Sequence, residues 1–212
     1  MKNLEDQETA RARQKRGQIL DAARRLFLSH GYAHTSTEAV RRAAGVSKET
    51  LYRYYPTKEE LFADILRRLT LEQLPKPLHS DDSLTSGADW KQLQRLVRTL
   101  AREISLVMMQ PDYLGLLRVV IAESTRFPHL GELFKKTVPE QAIAAVSDLL
   151  KRLRKKGLVT KIDDEAAARM LLGSLLTYAI LDGVLSSDGK PRPPAPKRIA
   201  AIADLFVRAV TD

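Results

Sequence analysis

Residues 31–66 read GYAHTSTEAVRRAAGVSKETLYRYYPTKEELFADIL, and the pattern of breaks in this stretch decides the fold. Thr35 precedes Glu38 by three residues, which is the spacing of a capping box at the start of a helix. Gly45 interrupts that helix, and Ser47 is a natural N-cap for the next one. Two short helices joined by a glycine-containing turn form a helix-turn-helix pattern.

A longer amphipathic helix precedes this pattern, and another helix follows it. Upstream, apolar residues recur at the i, i+3, i+4, i+7 and i+8 spacing of one helical face: Ile19, Ala22, Ala23, Leu26 and Phe27. Gly31 suits a left-handed C-cap at the end of this helix. Downstream, Pro56 ends the second short helix and Thr57 caps a fourth helix. The sequence thus predicts an N-terminal arm and a three-helix helix-turn-helix domain at residues 1–56, followed by a connecting helix at 57–74.

The second short helix, SKETLYRYY, has an inward and an outward face. Leu51 and Tyr55 are four residues apart and are expected to pack inward against Phe27 and Val40. The outward positions are Lys48, Glu49, Thr50, Arg53 and Tyr54, with Tyr52 at the edge. A helix that enters the major groove by its first turn reads base edges with such side chains, while its amide groups and the Ser47 hydroxyl can hold phosphate oxygens.

Basic residues are concentrated in the same part of the chain. The whole sequence carries a formal net charge of +9, and between Arg11 and Lys58 eleven Lys and Arg residues stand against three Asp and Glu residues. This block favours a polyanion as partner, with a solvated surface as the alternative. The role of the arm residues is open between contact with the DNA backbone or minor groove and a disordered, solvated tail; these residues are Arg11, Arg13, Lys15 and Arg16.

Beyond a loop at residues 75–87, helical periodicity resumes and predicts a second domain at 75–212. The expected helices are 90–109, 112–124, 131–136, 139–156, 165–186 and 197–210, with an extended Pro-rich connector at 188–196. No alternating strand pattern of useful length is present. The predicted class is therefore all-α: an N-terminal three-helix helix-turn-helix domain with a C-terminal helical bundle.

Composition argues against several classes of protein. Hydrophobic residues (44%) and charged residues (29%) occur in the proportions of a soluble globular protein. No uninterrupted apolar run approaches the roughly 18 residues that a membrane span needs, and the polar N-terminus does not resemble a secretory signal. The absence of cysteine fits a reducing cytoplasm. The four histidines are not spaced as metal ligands on one helical face, and no catalytic or phosphate-binding motif is found. The sequence therefore predicts no metal, no cofactor and no enzyme activity.

Residues 18–66 resemble the DNA-binding domain of the TetR family of bacterial transcription regulators. The positions that carry the resemblance are Gly31-Tyr32, Thr35-Ser36, Ala44-Gly45-Val46-Ser47, Leu51-Tyr52, Tyr55 and Thr57-Lys58. The resemblance implies a ligand-responsive repressor that binds a palindromic operator on double-stranded DNA as a homodimer. It also implies phosphate contacts from Thr35 and Ser36 and a grip on the DNA backbone from Tyr52 and Lys58. Base reading is implied for Lys48, Glu49, Thr50, Arg53 and Tyr54.

Glu49 departs from the family pattern, which often has a small residue such as glycine at this position. Its carboxylate is unsuited to a phosphate contact, but it could accept a hydrogen bond from a cytosine amino group or turn back to Lys48 or Arg53. This departure leaves two alternatives open. One is a helical interaction or sensor protein that has lost specific DNA binding, and the other is a protein that binds DNA without sequence preference.

The C-terminal region resembles the AefR-type C-terminal domain found in part of the same family, over IAESTRFPHLGELFKKTVPEQAIAAVSDLLKRLRKKGLV and DDEAAARMLLGSLLTYAILDGVL. This resemblance implies that the last two long helices pair with those of a second copy as a four-helix bundle, in which Gly173, Ser174 and Ala179 would permit close approach. It also implies a pocket for a small-molecule effector. The candidate lining residues are Trp90, Met108, Met109, Tyr113, Glu123, Phe127 and Tyr178. Ordinary core packing is the alternative for each, and Phe127 is equally explained as an anchor for its loop.

Overall fold

The structure, a computed structural model, describes residues 2–73, 75, 78, 89–186 and 188–211, with side chains from residue 11 onward. Within these residues the fold is all-α, without strands, which confirms the predicted class. The helices are α1 (Lys2–His30), α2 (Thr37–Ala44), α3 (Lys48–Tyr54), α4 (Lys58–Leu69), α5 (Trp90–Met108), α6 (Pro111–Glu123), α7 (Pro128–Thr137), α8 (Pro139–Lys155), α9 (Asp164–Tyr178) and α10 (Pro196–Thr211). A 3-10 turn, Leu71–Gln73, follows α4, and a π-helical turn, Ala179–Val184, continues α9.

The N-terminal helices differ from expectation at two places. Residues 2–30 form one continuous helix, so the four basic arm residues lie on α1 and not in a disordered tail. Helix α2 begins at Thr37 with Ser36 as its N-cap, because the Ser36 hydroxyl accepts a hydrogen bond from the backbone N–H three residues later. Thr35, the predicted cap, instead donates its hydroxyl hydrogen to the Gly31 carbonyl and is only 2% exposed.

In the second half of the chain, the predicted helices are found with most ends shifted by one to three residues. The exception is the segment predicted as a single helix at 165–186, where the α-helix ends at Tyr178 and the wider π-helical turn follows. Gly183 lies in this turn, and a Cβ there would come 2.8 Å from the side chain of Leu114. The glycine therefore permits a close approach that another residue would prevent. Most of the predicted loop at 75–87 lies outside the described residues.

The chain divides into two compact units. The first comprises residues 1–68 and 116–134, and the second comprises residues 69–115 and 135–212. This division differs from the predicted continuous domains, because residues 116–134 group with the N-terminal helices. The chain passes from one unit to the other three times: at the end of α4, within α6 and within α7.

Aromatic rings form the centre of the first unit. The ring of Phe27 on α1 lies 5.7 Å from that of Tyr32 and 5.1 Å from that of Phe62 on α4, measured between centroids. Phe127, from the segment after α6, packs edge-on against Tyr32 at 5.6 Å. Edge-to-face and offset ring pairs add to the stabilisation from apolar burial. These contacts fix the turn that leads from α1 into α2.

Helices α5, α8, α9 and α10 enclose the apolar core of the second unit. Buried members of this core include Leu100 on α5, Leu150 on α8, Leu171 on α9 and Phe206 on α10. The segment Asp164–Val184 is also long and apolar enough to cross a membrane by length and composition alone, a test that core helices of water-soluble proteins pass as well. One side of this segment contributes to the core, and large apolar side chains on its other side are exposed.

Candidate nucleic-acid interface

Helix α3 is positioned by its N-cap and by two buried side chains. The Ser47 hydroxyl accepts a hydrogen bond from the Thr50 backbone N–H at 3.1 Å and lies 2.8 Å from the Thr50 hydroxyl. Leu51 and Tyr55 are 1% and 3% exposed, which confirms the predicted inward face. Because the Ser47 hydroxyl already serves its own helix, its contact with a DNA phosphate stays a prediction.

The outward face of α3 combines charged and aromatic side chains. Lys48, Glu49 and Arg53 are exposed, and Tyr52 is 41% exposed. The Arg53 guanidinium lies 5.4 Å from the centre of the half-buried Tyr54 ring, and the Lys48 ammonium lies 6.0 Å from the centre of the Tyr52 ring. Two cations are thus held beside two aromatic rings on a helix of seven residues. Side chains of these types can meet phosphates and base edges.

Glu49 lies in the first turn of α3, where a carboxylate complements the helix dipole. The sequence left open an ion pair of this carboxylate with Lys48 or with Arg53. Among the residues that the structure describes, neither ion pair is formed, and both cations lie beside aromatic rings instead. The Glu49 carboxylate therefore faces solvent, where a cytosine amino group could reach it.

A second polar cluster lies at the start of α2, next to α3. The Thr37 hydroxyl is 3.1 Å from the Tyr52 hydroxyl, which ties the edge of α3 to the first residue of α2. Ser36, the exposed N-cap, is its neighbour in sequence. Helix N-termini carry N–H groups that favour anions, so this cluster is suited to a phosphate oxygen. Sequence reasoning missed Thr37, although the run of three hydroxyl residues at 35–37 contained the signal.

Lys58 and Thr35, both expected to contact phosphates, are engaged within the protein. The Lys58 ammonium donates hydrogen bonds to the backbone carbonyls of Tyr32 at 2.8 Å and Thr35 at 3.1 Å. Burial lowers the pKa of Lys58 below its ordinary value, and the charges of Glu59 and Glu123 oppose this shift. An ammonium has three donors, so one is left for a phosphate. Thr35 is buried and its hydroxyl donates to the Gly31 carbonyl, so its contact with a phosphate stays a prediction.

A buried carboxylate holds the C-terminal end of α3. Asp64 on α4 is 3% exposed and accepts hydrogen bonds from the Tyr55 hydroxyl at 2.6 Å, from Arg16 at 2.8 Å and from Arg67 at 2.7 Å. Burial by itself raises the pKa of Asp64, but the hydrogen bonds from Tyr55 and Arg16 outweigh it and leave the pKa below its ordinary value. Arg16 thus belongs to the framework that fixes Tyr55.

Two residues expected to line an effector pocket, Glu123 and Phe127, belong to the first unit. The Glu123 carboxylate accepts hydrogen bonds from the backbone N–H groups of Tyr32 at 2.6 Å and Ala33 at 2.7 Å. Phe127 packs against the Tyr32 ring, as expected if it anchors its loop. Both side chains thus hold the turn between α1 and α2, and their contact with an effector stays a prediction.

The other five pocket candidates lie in the second unit. Met109 and Tyr113 are buried, Met108 and Tyr178 are half-buried, and Trp90 at the start of α5 is 43% exposed. Burial raises the pKa of the Tyr113 phenol to about 12. Met109 and Tyr113 have the burial of ordinary core residues, and the effector contacts of all five stay predictions.

Three cavities of the second unit are lined by other residues. An enclosed apolar cavity in the core has a volume of about 10 Å³, which is room for one water molecule at most. An open groove of about 510 Å³ is lined by Arg98, Arg102 and Leu106 of α5, by residues 193–196 and by the start of α10. Another open groove, of about 350 Å³, lies along α8. Of these three, the two grooves have the volume that a small ligand requires.

Comparisons with known proteins agree with both halves of the fold. The sequence matches the family described as "Bacterial regulatory proteins, tetR family" over residues 19–65 and the "AefR-like transcriptional repressor, C-terminal domain" over residues 92–210. An HTH-type transcriptional repressor of Mycobacterium tuberculosis (strain ATCC 25618 / H37Rv) is 27% identical over 204 residues, which cover 92% of each chain.

Solved structures with the same fold include regulators of this kind. A structure from Mesorhizobium loti MAFF303099, assigned to the TetR-family transcriptional regulators, has a TM-score of 0.69 at 29% identity and covers 94% of this chain and 96% of its own. The flavonoid-responsive regulator FrrA has a TM-score of 0.67 at 28% identity, with 93% and 97% of the two chains covered. The exposed helix-turn-helix and the helical second unit are thus those of a chain that belongs to the TetR family of bacterial transcriptional regulators.

Proposed function

We propose that this chain is a homodimeric repressor that binds a palindromic operator on double-stranded DNA and is released from it by a small-molecule effector. The protein would act in the cytoplasm, where the DNA is, and the proposal assigns it no catalytic step. Its family consists of DNA-binding transcriptional regulators.

The observation that carries the proposal is the outward face of α3, where Lys48, Arg53 and Tyr52 are exposed beside the capped start of α2. The side chains proposed to read bases are Lys48, Glu49, Thr50, Arg53 and Tyr54. Those proposed to meet phosphates are Ser36, Thr37, Ser47, Tyr52 and the third donor of Lys58. Phosphate contacts position the protein on the duplex, whereas base contacts specify the sequence.

A palindromic operator has two half-sites related by a two-fold axis, so it calls for a symmetric dimer. The second unit has an exposed apolar surface that could form the interface of this dimer. Met170, Leu181 and Leu185, on α9 and the turns that follow, are 44%, 58% and 64% exposed, and Leu205 on α10 is 63% exposed. Exposed large apolar side chains of this kind favour association. Gly173 is also exposed and would let a second helix approach closely.

The proposed effector binds the second unit. The similar regulator FrrA is described as flavonoid-responsive, and we propose for this chain only that a small molecule acts. By linkage, an effector that weakens operator binding by a given factor is itself bound more weakly, by the same factor, when the operator is bound.

Selection of bound sequences from a random duplex pool, with the full-length protein at about physiological salt, tests the proposal. The matched control is the double variant Lys48→Ala/Arg53→Ala, which leaves the buried face of α3 unchanged. Enrichment of a palindromic motif by the wild type, and its loss in the control, supports a sequence-specific dimer. Enrichment of no sequence, with binding that disappears as salt rises, overturns it in favour of non-specific DNA binding.

A further inference from the structure

The turn between α1 and α2 is held by opposite charges acting on its peptide groups. The Glu123 carboxylate accepts hydrogen bonds from the N–H groups of Tyr32 and Ala33, at 2.6 and 2.7 Å. The Lys58 ammonium donates to the carbonyls of Tyr32 and Thr35, at 2.8 and 3.1 Å. Hydrogen bonds that involve a charged partner are stronger than neutral ones. The backbone that leads into α2 is therefore fixed through both its donors and its acceptors.

Glycine at position 31 allows the carboxylate to come this close. Gly31 has a φ of 78°, and a Cβ on it would lie only 2.6 Å from Glu123 Oε1. Any other residue would meet that oxygen as well as straining the backbone. Gly31 therefore has two roles: it adopts the positive φ that ends α1, and it leaves room for the Glu123 carboxylate.

Glu123 is itself anchored, in a position that its own helix does not favour. It is the last residue of α6, where the helix dipole places partial negative charge and disfavours a carboxylate. Its carbonyl accepts hydrogen bonds from the N–H groups of Arg126 at 3.0 Å and Phe127 at 2.8 Å, and the Phe127 ring packs on Tyr32. A residue that breaks a local rule while making specific distant contacts marks a functional position.

We propose that Glu123 is a positioning residue for DNA binding, whose carboxylate sets the α1–α2 turn and thereby the start of α2. Ser36 follows Ala33 by three residues, and the adjacent Thr37 meets the Tyr52 hydroxyl at 3.1 Å. A shift of the turn therefore displaces the second polar cluster, at the start of α2, while the buried face of α3 stays packed. Glu123 acts without touching DNA. The inference rests on the DNA binding proposed above.

The test compares full-length wild type, Glu123→Gln and Glu123→Ala. Glutamine keeps one acceptor oxygen but loses the charge, and alanine loses both. The matched control is Glu60→Ala, which removes an exposed carboxylate from α4 in the same unit. Two quantities are measured: the affinity for the duplex selected by the wild type, and the hydrogen-exchange rates of the backbone amides by NMR. The exchange rates at Tyr32 and Ala33 report on the turn itself.

We expect exchange at Tyr32 and Ala33 to become faster, and affinity to fall, in the order wild type, Glu123→Gln, Glu123→Ala. The alanine variant should lose about tenfold in affinity, because it removes two charge-assisted hydrogen bonds. The control should keep wild-type values for both. Local faster exchange, with the other amides of the first unit unchanged, separates positioning from a general loss of stability.

Unchanged affinity in Glu123→Ala would overturn the inference. So would a loss of affinity accompanied by faster exchange throughout the first unit, because Glu123 would then act only on stability. If the wild type binds no duplex, the proposed function fails and takes this inference with it. If the wild type binds and the Glu123 variants bind equally well, the inference alone fails.

Discussion

Arg16 Nη2 and Asp64 Oδ2 lie 2.8 Å apart, although the two residues are 48 positions apart in the sequence. The pair joins α1 to α4, and Tyr55 completes it, since its hydroxyl donates to the same Oδ2 at 2.6 Å and accepts from Arg16 Nε at 3.0 Å. The Asp64 side chain is 4% exposed. A buried carboxylate without partners would be costly, so the C-terminal end of α3 depends on this set of contacts.

Removal of the Asp64 charge should lower the stability of the folded protein and make that stability less sensitive to acid. We expect Asp64→Asn to lower the free energy of unfolding by roughly 1–3 kcal/mol at neutral pH, because a charged acceptor is lost. The pKa of Asp64 is below its ordinary value of 3.8 in the folded protein. Its stabilising contribution is therefore present above that ordinary value and is lost as the pH falls through the folded-state pKa.

Thermal unfolding at a series of pH values measures this effect. The wild type should lose stability in acid more steeply than Asp64→Asn. Asp21→Asn, which removes an exposed carboxylate of α1 in the same unit, is the matched control and should follow the wild type. Identical acid profiles for the wild type and Asp64→Asn would contradict the prediction.

Arg53 is predicted to read a base. Arg53→Ala should relax the preference at one position of the selected site, at a cost of roughly 1–3 kcal/mol, and should leave the affinity for random duplex nearly unchanged. Competition with duplexes substituted at each position in turn measures the effect. Arg95→Ala, on the exposed face of α5, is the control. An equal loss on selected and random duplexes would show that Arg53 meets a phosphate instead.

Lys58 is predicted to bind backbone carbonyls within the protein and, through its third donor, a DNA phosphate. Lys58→Met keeps much of the side-chain length but removes all three donors, so the carbonyls of Tyr32 and Thr35 lose a charged partner. We expect weaker binding to every duplex. The slope of the logarithm of the binding constant against the logarithm of the salt concentration should fall in magnitude by about 1, which corresponds to one lost phosphate contact. Titration at several salt concentrations measures the slope. An unchanged slope would mean that Lys58 acts only within the protein.

Leu205 is predicted to lie in a dimer interface. Leu205→Glu should convert dimers into monomers, because a charge would be buried without a partner in the apolar surface. Light scattering after size-exclusion chromatography measures the mass. Ile121→Glu is the control, since Ile121 is 53% exposed on α6 and belongs to the first unit. A dimer of undiminished stability in Leu205→Glu would place the interface elsewhere.

The sequence by itself determined the helix-turn-helix, because the signals for it are local. Gly45 ends α2 and Ser47 caps α3, both as predicted. Leu51 and Tyr55 are buried, as their spacing requires. Caps and helical faces depend on atoms only a few residues apart, so the order of residues is enough to predict them.

Tertiary structure alone decided the partners of the charged and hydroxyl side chains. Thr35 and Ser36 are adjacent and both can cap a helix, and only the bond from Thr35 to the Gly31 carbonyl leaves the cap to Ser36. Glu123 is 91 positions from Tyr32, and nothing near it in sequence distinguishes a carboxylate that fixes a turn from one that lines an effector pocket. A charged group pairs with whatever folding brings within hydrogen-bond distance, and that depends on contacts between segments far apart in the chain.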